Sequence, residues 1–368
     1  MDSLTQFTLG AAISAACLGS KMGPRKAVLV GGLVATLPDL DVLIPFETRI
    51  DQYVYHRGWS HSFFIHVIAT PVIGEVLLRC FKSLKDHRKL VWATVFLCLT
   101  THALLDSMNA YGARIFWPFH PDPVGTGSVF IIDPLFTVPL AIAVVWAVAS
   151  ARWSSGLRNL LVGSLVFSAG YLVWGLAVQN HIHDRGKAIF AAKGLDVKNV
   201  KTVVTPFNTL LWRVIGQAEG QYHNLYLSLF DKDEDAVVYT HAFDAALVAC
   251  VADDPEYQKM IWFSDGFVRT DLVDGRIVAS DYRLGLSPTY IFRFAIADYA
   301  NGASSKISPE PILPAIADAG TEFGWLGTRM SGQPMIRASE QALVDERHVT
   351  GAPQGASPQK IGDHCRAR

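Results

Sequence analysis

The chain has 368 residues, half of them apolar, with 18% charged residues and a formal net charge of −1. That balance excludes a basic footprint for nucleic acid, and it is too apolar for an ordinary soluble protein yet too charged for membrane helices alone. A membrane part joined to a soluble part reconciles the two.

Apolar segments fall at 4–20, 27–38, 62–80, 89–105, 129–150 and 157–179. The last two are long enough to cross a bilayer, which takes roughly 20 residues, and the third and fourth are adequate. The first two are short, rich in Gly and Ala, and joined by Lys21–Lys26. They predict either two tightly packed helices shielded by the others or a re-entrant hairpin. The N-terminus lacks a basic start and cleavage signature, so the first apolar segment is expected to stay in the mature protein.

After residue 180 the pattern changes to β-branched and alternating runs, such as Val197–Val204 and Ala236–Thr240, and Asp274-Gly275 reads as a hairpin turn. From 303 onward Ala, Gly, Ser and Pro dominate without periodicity. The fold class is therefore a membrane protein: an α-helical transmembrane bundle of four to six apolar segments over 1–180, a small β-rich extramembrane domain over 181–302, and a low-order tail over 303–368. The five cysteines show neither metal-type spacing nor a disulfide framework.

Lys21, Arg25 and Lys26, then Lys82, Lys85, Arg88 and Lys89, then Arg152 and Arg158 mark the turns of one side. Placing them in the cytoplasm puts loops 39–61 and 106–128, and all that follows 180, on the opposite face, the periplasm of a bacterium. Three polar pairs lie on that face. Asp39 and Asp41 end the second apolar segment, His56 and His61 enter the third, and His102 and Asp106 end the fourth. The i,i+4 spacing of the last pair puts both side chains on one helix face. If residues 39–41 are extended, Asp39 and Asp41 point the same way.

Imidazole and carboxylate together suit a divalent ion, zinc first, and all six residues are expected as ligands of one or two ions. For each pair the plainer reading is structural: a helix-packing pair at 102/106, loop aspartates after Pro38, and interfacial histidines with Ser60 capping the next helix. Ionisable groups at helix ends near a bilayer are costly, and three pairs meeting at one face favour the metal site. Asp133 reads equally as a contributor or a helix-start cap, His181 and His183 as interfacial residues, and Glu75 as a snorkelling residue or a partner of Arg79.

Met1-Asp-Ser-Leu-Thr5, Leu37-Pro-Asp-Leu-Asp41, Tyr55-His-Arg-Gly-Trp-Ser-His61, His102-x-x-x-Asp106, Asn109-x-Tyr-Gly112 and Trp117-Pro-Phe119 together resemble the YdjM/YbcI-type inner-membrane proteins, regarded as metal-dependent hydrolases. The likeness runs over about residues 1–180 and continues through Thr205–Trp212 and Trp262–Ser264. That family is distantly similar to zinc-dependent phospholipases C and single-strand nucleases, whose ligand order Asp41, His56, His102 and Asp106 match. The resemblance implies multi-pass insertion in the inner membrane and hydrolytic chemistry. Gln6 stands where family members often carry His, and Asn109 where the soluble enzymes have a further His, so one or two metals are expected rather than three.

In this reading Asp39 or Asp41 acts as general base, and Arg57 or Arg114 neutralises a phosphodiester. For both arginines a surface ion pair or lipid-headgroup contact is an equal alternative. The location at the lipid–water boundary points to the bilayer as partner and to a lipid-linked or other phosphoester substrate. The competing function is a metal-binding or transport protein without hydrolysis, which would want polar residues deep within the spans. The β-rich region shows no catalytic constellation and no sign of which protein it binds.

Overall fold

The computed structural model describes residues 1–300, 303–314 and 318–349 and divides into two compact units. Unit 1 is Met1–Ile44, His56–Val178 and Val204–Thr209; unit 2 is Pro45–Tyr55, Gln179–Val203 and the described part of Leu210–Arg368.

In unit 1, Asp2 caps α1 (Ser3–Met22) by accepting from the Thr5 backbone N–H. Gly23, at φ 88°, reverses the chain in one residue, and Pro24 opens α2 (Pro24–Thr36). The two helices touch backbone to backbone: a Cβ on Gly31 would meet the Gly10 carbonyl oxygen at 2.2 Å, and one on Gly10 would meet the Ala35 Cβ at 2.2 Å. They form the tightly packed pair that their small residues allow. After α3 (Arg49–Tyr55), which belongs to unit 2, Ser62 caps α4 (Phe63–Cys80). A 3-10 turn at Lys82–His87 leads into α5 (Arg88–Ser107), which returns antiparallel with Trp92 lying on Gly74. Asp133 caps α6 (Pro134–Ala149), and α7 runs over Ser155–Ala192. Leu9, Ile13 and Leu18 of α1, Val95 and Leu99 of α5, and Phe136 and Leu140 of α6 share one apolar core.

Among the described residues, three helical stretches are long and apolar enough to cross a membrane: Phe63–Cys80, Lys82–Ser107 and Ser155–Ala192. The expectation of four to six crossings thus rests on three such helices and the shorter apolar α6. α1 has the length, but Thr, Gln and Ser interrupt its apolar surface and most of it is buried. At 1.5 Å per residue α7 is about 57 Å long, well beyond a ~30 Å hydrocarbon core. The anticipated boundary at 180/181 therefore falls inside one continuous helix, and the two units divide at 178/179 instead.

Unit 2 is built on two four-stranded sheets. The first joins β1 (Asn199–Val204), β2 (Leu211–Ala218), β3 (Gln221–Ser228) and β4 (Val238–Ala242) in that order. α8 (Ala245–Val251) and α9 (Pro255–Phe263) lead to β5 (Val268–Val273) and β6 (Arg276–Asp281), joined by the anticipated hairpin with Asp274 at φ 50° and Gly275 at φ 74°. A short ladder pairs β7 (Gly285–Leu286) with β8 (Thr289–Tyr290). β9 (Arg293–Ala300) and β10 (Ala303–Pro311) complete the second sheet, in the order β10-β9-β6-β5.

α10 (Ala319–Met330) and α11 (Ala338–Val349) follow. The expected low-order tail from 303 is thus corrected: β10 pairs with β9, and Trp325 and Leu326 of α10 are buried with Leu211, Tyr226 and Tyr239. Small and polar residues there hid a strand and a helix held by long-range packing. The rest of the tail, 350–368, lies outside the described residues. Cys17, Cys80 and Cys98 are free thiols whereas Cys250 is disulfide-bonded, a bond that cysteine spacing does not reveal.

Candidate metal centre

Four helix ends meet at one end of unit 1. α2 ends at Thr36, and Pro38 starts a 3-10 turn over Pro38–Leu43. With three residues per turn, successive side chains diverge by about 120°, so Asp39 and Asp41 separate rather than align as an extended stretch would have them. Asp39 faces α5, and Asp41 faces His56. A second 3-10 turn, Trp59–His61, delivers His61 just before α4. His102 and Asp106 lie one turn apart near the end of α5.

Asp39, His61, His102 and Asp106 each offer a ligand atom, all within 4.8 Å of one another. His61 Nε2 is 3.0 Å from His102 Nε2, 3.1 Å from Asp106 Oδ2 and 3.5 Å from Asp39 Oδ1. His102 Nε2 is 3.4 Å from Asp39 Oδ1 and 3.5 Å from Asp106 Oδ2. An ion bound tetrahedrally at ~2.0–2.1 Å spaces its ligands by roughly 3.3–3.4 Å, and these five spacings of 3.0–3.5 Å suit a small divalent cation. Asp39 Oδ1 is buried, 3.4–3.5 Å from the His102 and His61 Nε2 atoms and without a hydrogen bond of ordinary geometry. His61, His102 and Asp106 are wholly buried, and the Asp39 side chain alone of the four retains exposure, 19%. Burial raises the Asp39 pKa, but contacts with His102 and His61 outweigh it and hold the carboxyl low. Burial lowers that of His61, and Asp106 and Asp39 reverse the sign.

Asp41 and His56 stand beside this cluster. Asp41 Oδ1 is 2.7 Å from His56 Nδ1, while Oδ2 accepts from the Arg57 N–H and lies 3.8 Å from His61 Nδ1. Arg57, in the left-handed region at φ 60°, is buried with Nε 3.0 Å from Asp106 Oδ2 and its guanidinium 5.1 Å from the Tyr111 ring centre. Its Nη1 is buried without a hydrogen bond. The Arg114 backbone N–H donates to the Arg57 carbonyl, which ties the loop after α5 to the site.

Several contributors lie outside the six expected ligands. The Met1 amino group pairs with Asp106, and Gln6 donates to Asp106 Oδ1 at 3.0 Å and to the His102 carbonyl at 3.2 Å. Ser60 contacts Asp41 and His61, whereas the cap of α4 is Ser62. Gln6 had a signal, its place in a motif that otherwise carries His. Asn109 accepts from the N–H groups of Tyr111 and Gly112 in a local turn. Asp133 caps α6 and accepts from Tyr171, His183 contacts Thr202, and Glu75 pairs with Arg88 rather than Arg79.

The family model described as YdjM inner membrane protein matches residues 1–182, which include the whole cluster. Over residues 1–182 the chain matches the YdjM family. Inner membrane protein YbcI of Escherichia coli (strain K12) is 31% identical over 109 residues, 27% of this chain and 57% of that relative, so the match spans little more than half of YbcI. No solved structure matches the chain significantly. The matched family is one of inner-membrane proteins, and the apolar helices are compatible with membrane insertion.

Proposed function

We propose that this chain is a membrane-bound, metal-dependent hydrolase of a phosphoester or lipid-linked substrate, with its site at the periplasmic face. The compact cluster of Asp39, His61, His102 and Asp106, with ligand atoms all within 4.8 Å of one another, carries this reading. Zinc is the first choice because two imidazole nitrogens accompany two carboxylates. A divalent ion held there would supply Lewis-acid polarisation and activate water near neutral pH.

The chain's own groups take the other roles. Asp39, the partly exposed carboxylate of the cluster, is placed to receive a proton from an entering water. Arg57, with Nη1 unpartnered beside Asp106, is placed to bind the oxyanion of a phosphoryl group. The basic turns on the other side of the apolar segments support the periplasmic orientation.

The test is metal analysis of the purified full-length protein, followed by hydrolysis of a generic phosphodiester, with His102→Ala and Asp106→Asn alongside. Both variants should lose bound metal and hydrolysis together. Wild-type metal content in both would sink the site. Metal binding by the wild type with no hydrolysis of phosphodiester or lipid-phosphate substrates would leave a binding or transport role.

A further inference from the structure

We propose that Ser60 and Asp41 are positioning residues, a hydrogen-bond relay that fixes which ring nitrogen of His61 faces the cluster. The inference deepens the metal-site reading and rests on it for its consequence, though not for its first measurement.

The direction of the relay follows from what each group can donate. A carboxylate only accepts. Asp41 Oδ2 lies 2.5 Å from Ser60 Oγ, and the single hydroxyl proton of Ser60 is committed to it. Ser60 Oγ lies 3.0 Å from His61 Nδ1 and has no second proton, so toward this ring it accepts. His61 Nδ1 must therefore carry a hydrogen. Nε2, the atom 3.0–3.5 Å from His102, Asp106 and Asp39, is then the nitrogen left to offer its lone pair to a cation. A ring nitrogen binds a cation only through its lone pair, and the hydrogen bond at the other nitrogen decides where that pair lies.

The relay is itself held in place. Asp41 is anchored by His56 Nδ1 at 2.7 Å and by the Arg57 backbone N–H at 2.9 Å, and His66 Nε2 lies 2.9 Å from the Ser60 carbonyl oxygen. His102 has no counterpart, since its Nδ1 is buried without a hydrogen bond. One imidazole is preset and the other adapts. Asp41 and His56, expected as ligands from the polar pairs and the family resemblance, thereby gain a separate task.

The first measurement is the tautomer of His61, read from histidine ¹⁵N shifts of the full-length, metal-free protein in lipid nanodiscs. Wild type should show a hydrogen on His61 Nδ1, and a bare Nδ1 there overturns the proposal. In Ser60→Ala that preference should vanish and zinc affinity should fall about 10-fold or more, while Ser60→Thr, which keeps the hydroxyl, should restore both. Asp41→Asn can donate to Ser60 and turn its hydroxyl toward His61 Nδ1, so the Nε2–H form should appear. Zinc affinity in Ser60→Ala equal to wild type refutes the relay. A wild type that takes up no zinc refutes the metal-site reading, and the tautomer result still decides the relay.

Discussion

Arg57 shows how one residue separates binding of the metal from binding of the substrate. Its guanidinium lies 3.0 Å from a cluster carboxylate, so it opposes a bound cation electrostatically while favouring a bound anion. Removing that charge in Arg57→Gln should leave zinc affinity undiminished or improved. The same change should lower kcat/KM for a phosphodiester by about 10²-fold, the usual scale for losing a charge-assisted oxyanion contact. Zinc competition titration and steady-state kinetics on one preparation check both halves, and a variant that loses zinc instead contradicts the assigned role. The chemistry-bearing residue types were legible at this scale because His and Asp are costly near a bilayer and stand out among apolar neighbours. Ser60 was not legible, because a serine at a helix entrance looks like a cap, and the cap of α4 is Ser62 instead. Nor was the divergence of Asp39 from Asp41, which depends on a 3-10 turn where the sequence equally permits an extended one.

At the scale of elements, the α1–α2 pair transmits packing to the site. α1 carries Gln6 and α2 leads directly into Asp39, so their separation sets how both reach α5. Gly31 has no room for a side chain, since its Cβ would press on the Gly10 carbonyl and the Ser14 Cβ. Gly31→Ala should destabilise the protein by about 1–3 kcal/mol through overpacking and weaken zinc binding, although no metal ligand is changed. Gly163→Ala in α7, where a Cβ meets nothing within 4 Å, is the control and should leave both quantities near wild type. Thermal unfolding in detergent with zinc titration reads the contrast, and equal behaviour of the two variants would show that the crossing does not govern the site. The small-residue composition made this pair readable in advance. The length of α7 was not readable, because its apolar part stops near 179 while helical backbone continues through polar residues to Ala192.

Over the whole molecule, the change from apolar runs to alternating β-branched runs located the β-rich part, and composition failed where structure depends on partners distant in sequence. Glu340 is the clearest case. It sits in a stretch without periodicity, yet its carboxylate is fully buried and accepts from Asn224 at 2.5 Å, Tyr226 at 2.5 Å, His241 at 2.8 Å and Arg337 at 3.2 Å. No local rule predicts a carboxylate with four donors, two of them more than 110 residues away. Burial pushes this carboxyl up, but His241, Arg213 and Arg337 outweigh it and hold the pKa at about 2, against 4.5 when unperturbed.

A folded-state pKa below the unfolded one contributes stability that is fully present above the unfolded value and is lost as pH falls through the folded one. The window here runs from about 4.5 down to about 2, and the size is about 3 kcal/mol at most. The β-sheet circular dichroism of the full-length protein should therefore melt at progressively lower temperature across that window. Glu340→Gln keeps the shape but removes the charge, so it should be less stable than wild type at pH 7 and should lose part of the acid dependence below pH 4.5. A variant with wild-type stability at pH 7 and an unchanged acid limb would mean that the buried carboxylate does not hold α11 to the sheet. The dependence would then have to come from other carboxylates, such as the buried Asp281 paired with Arg283.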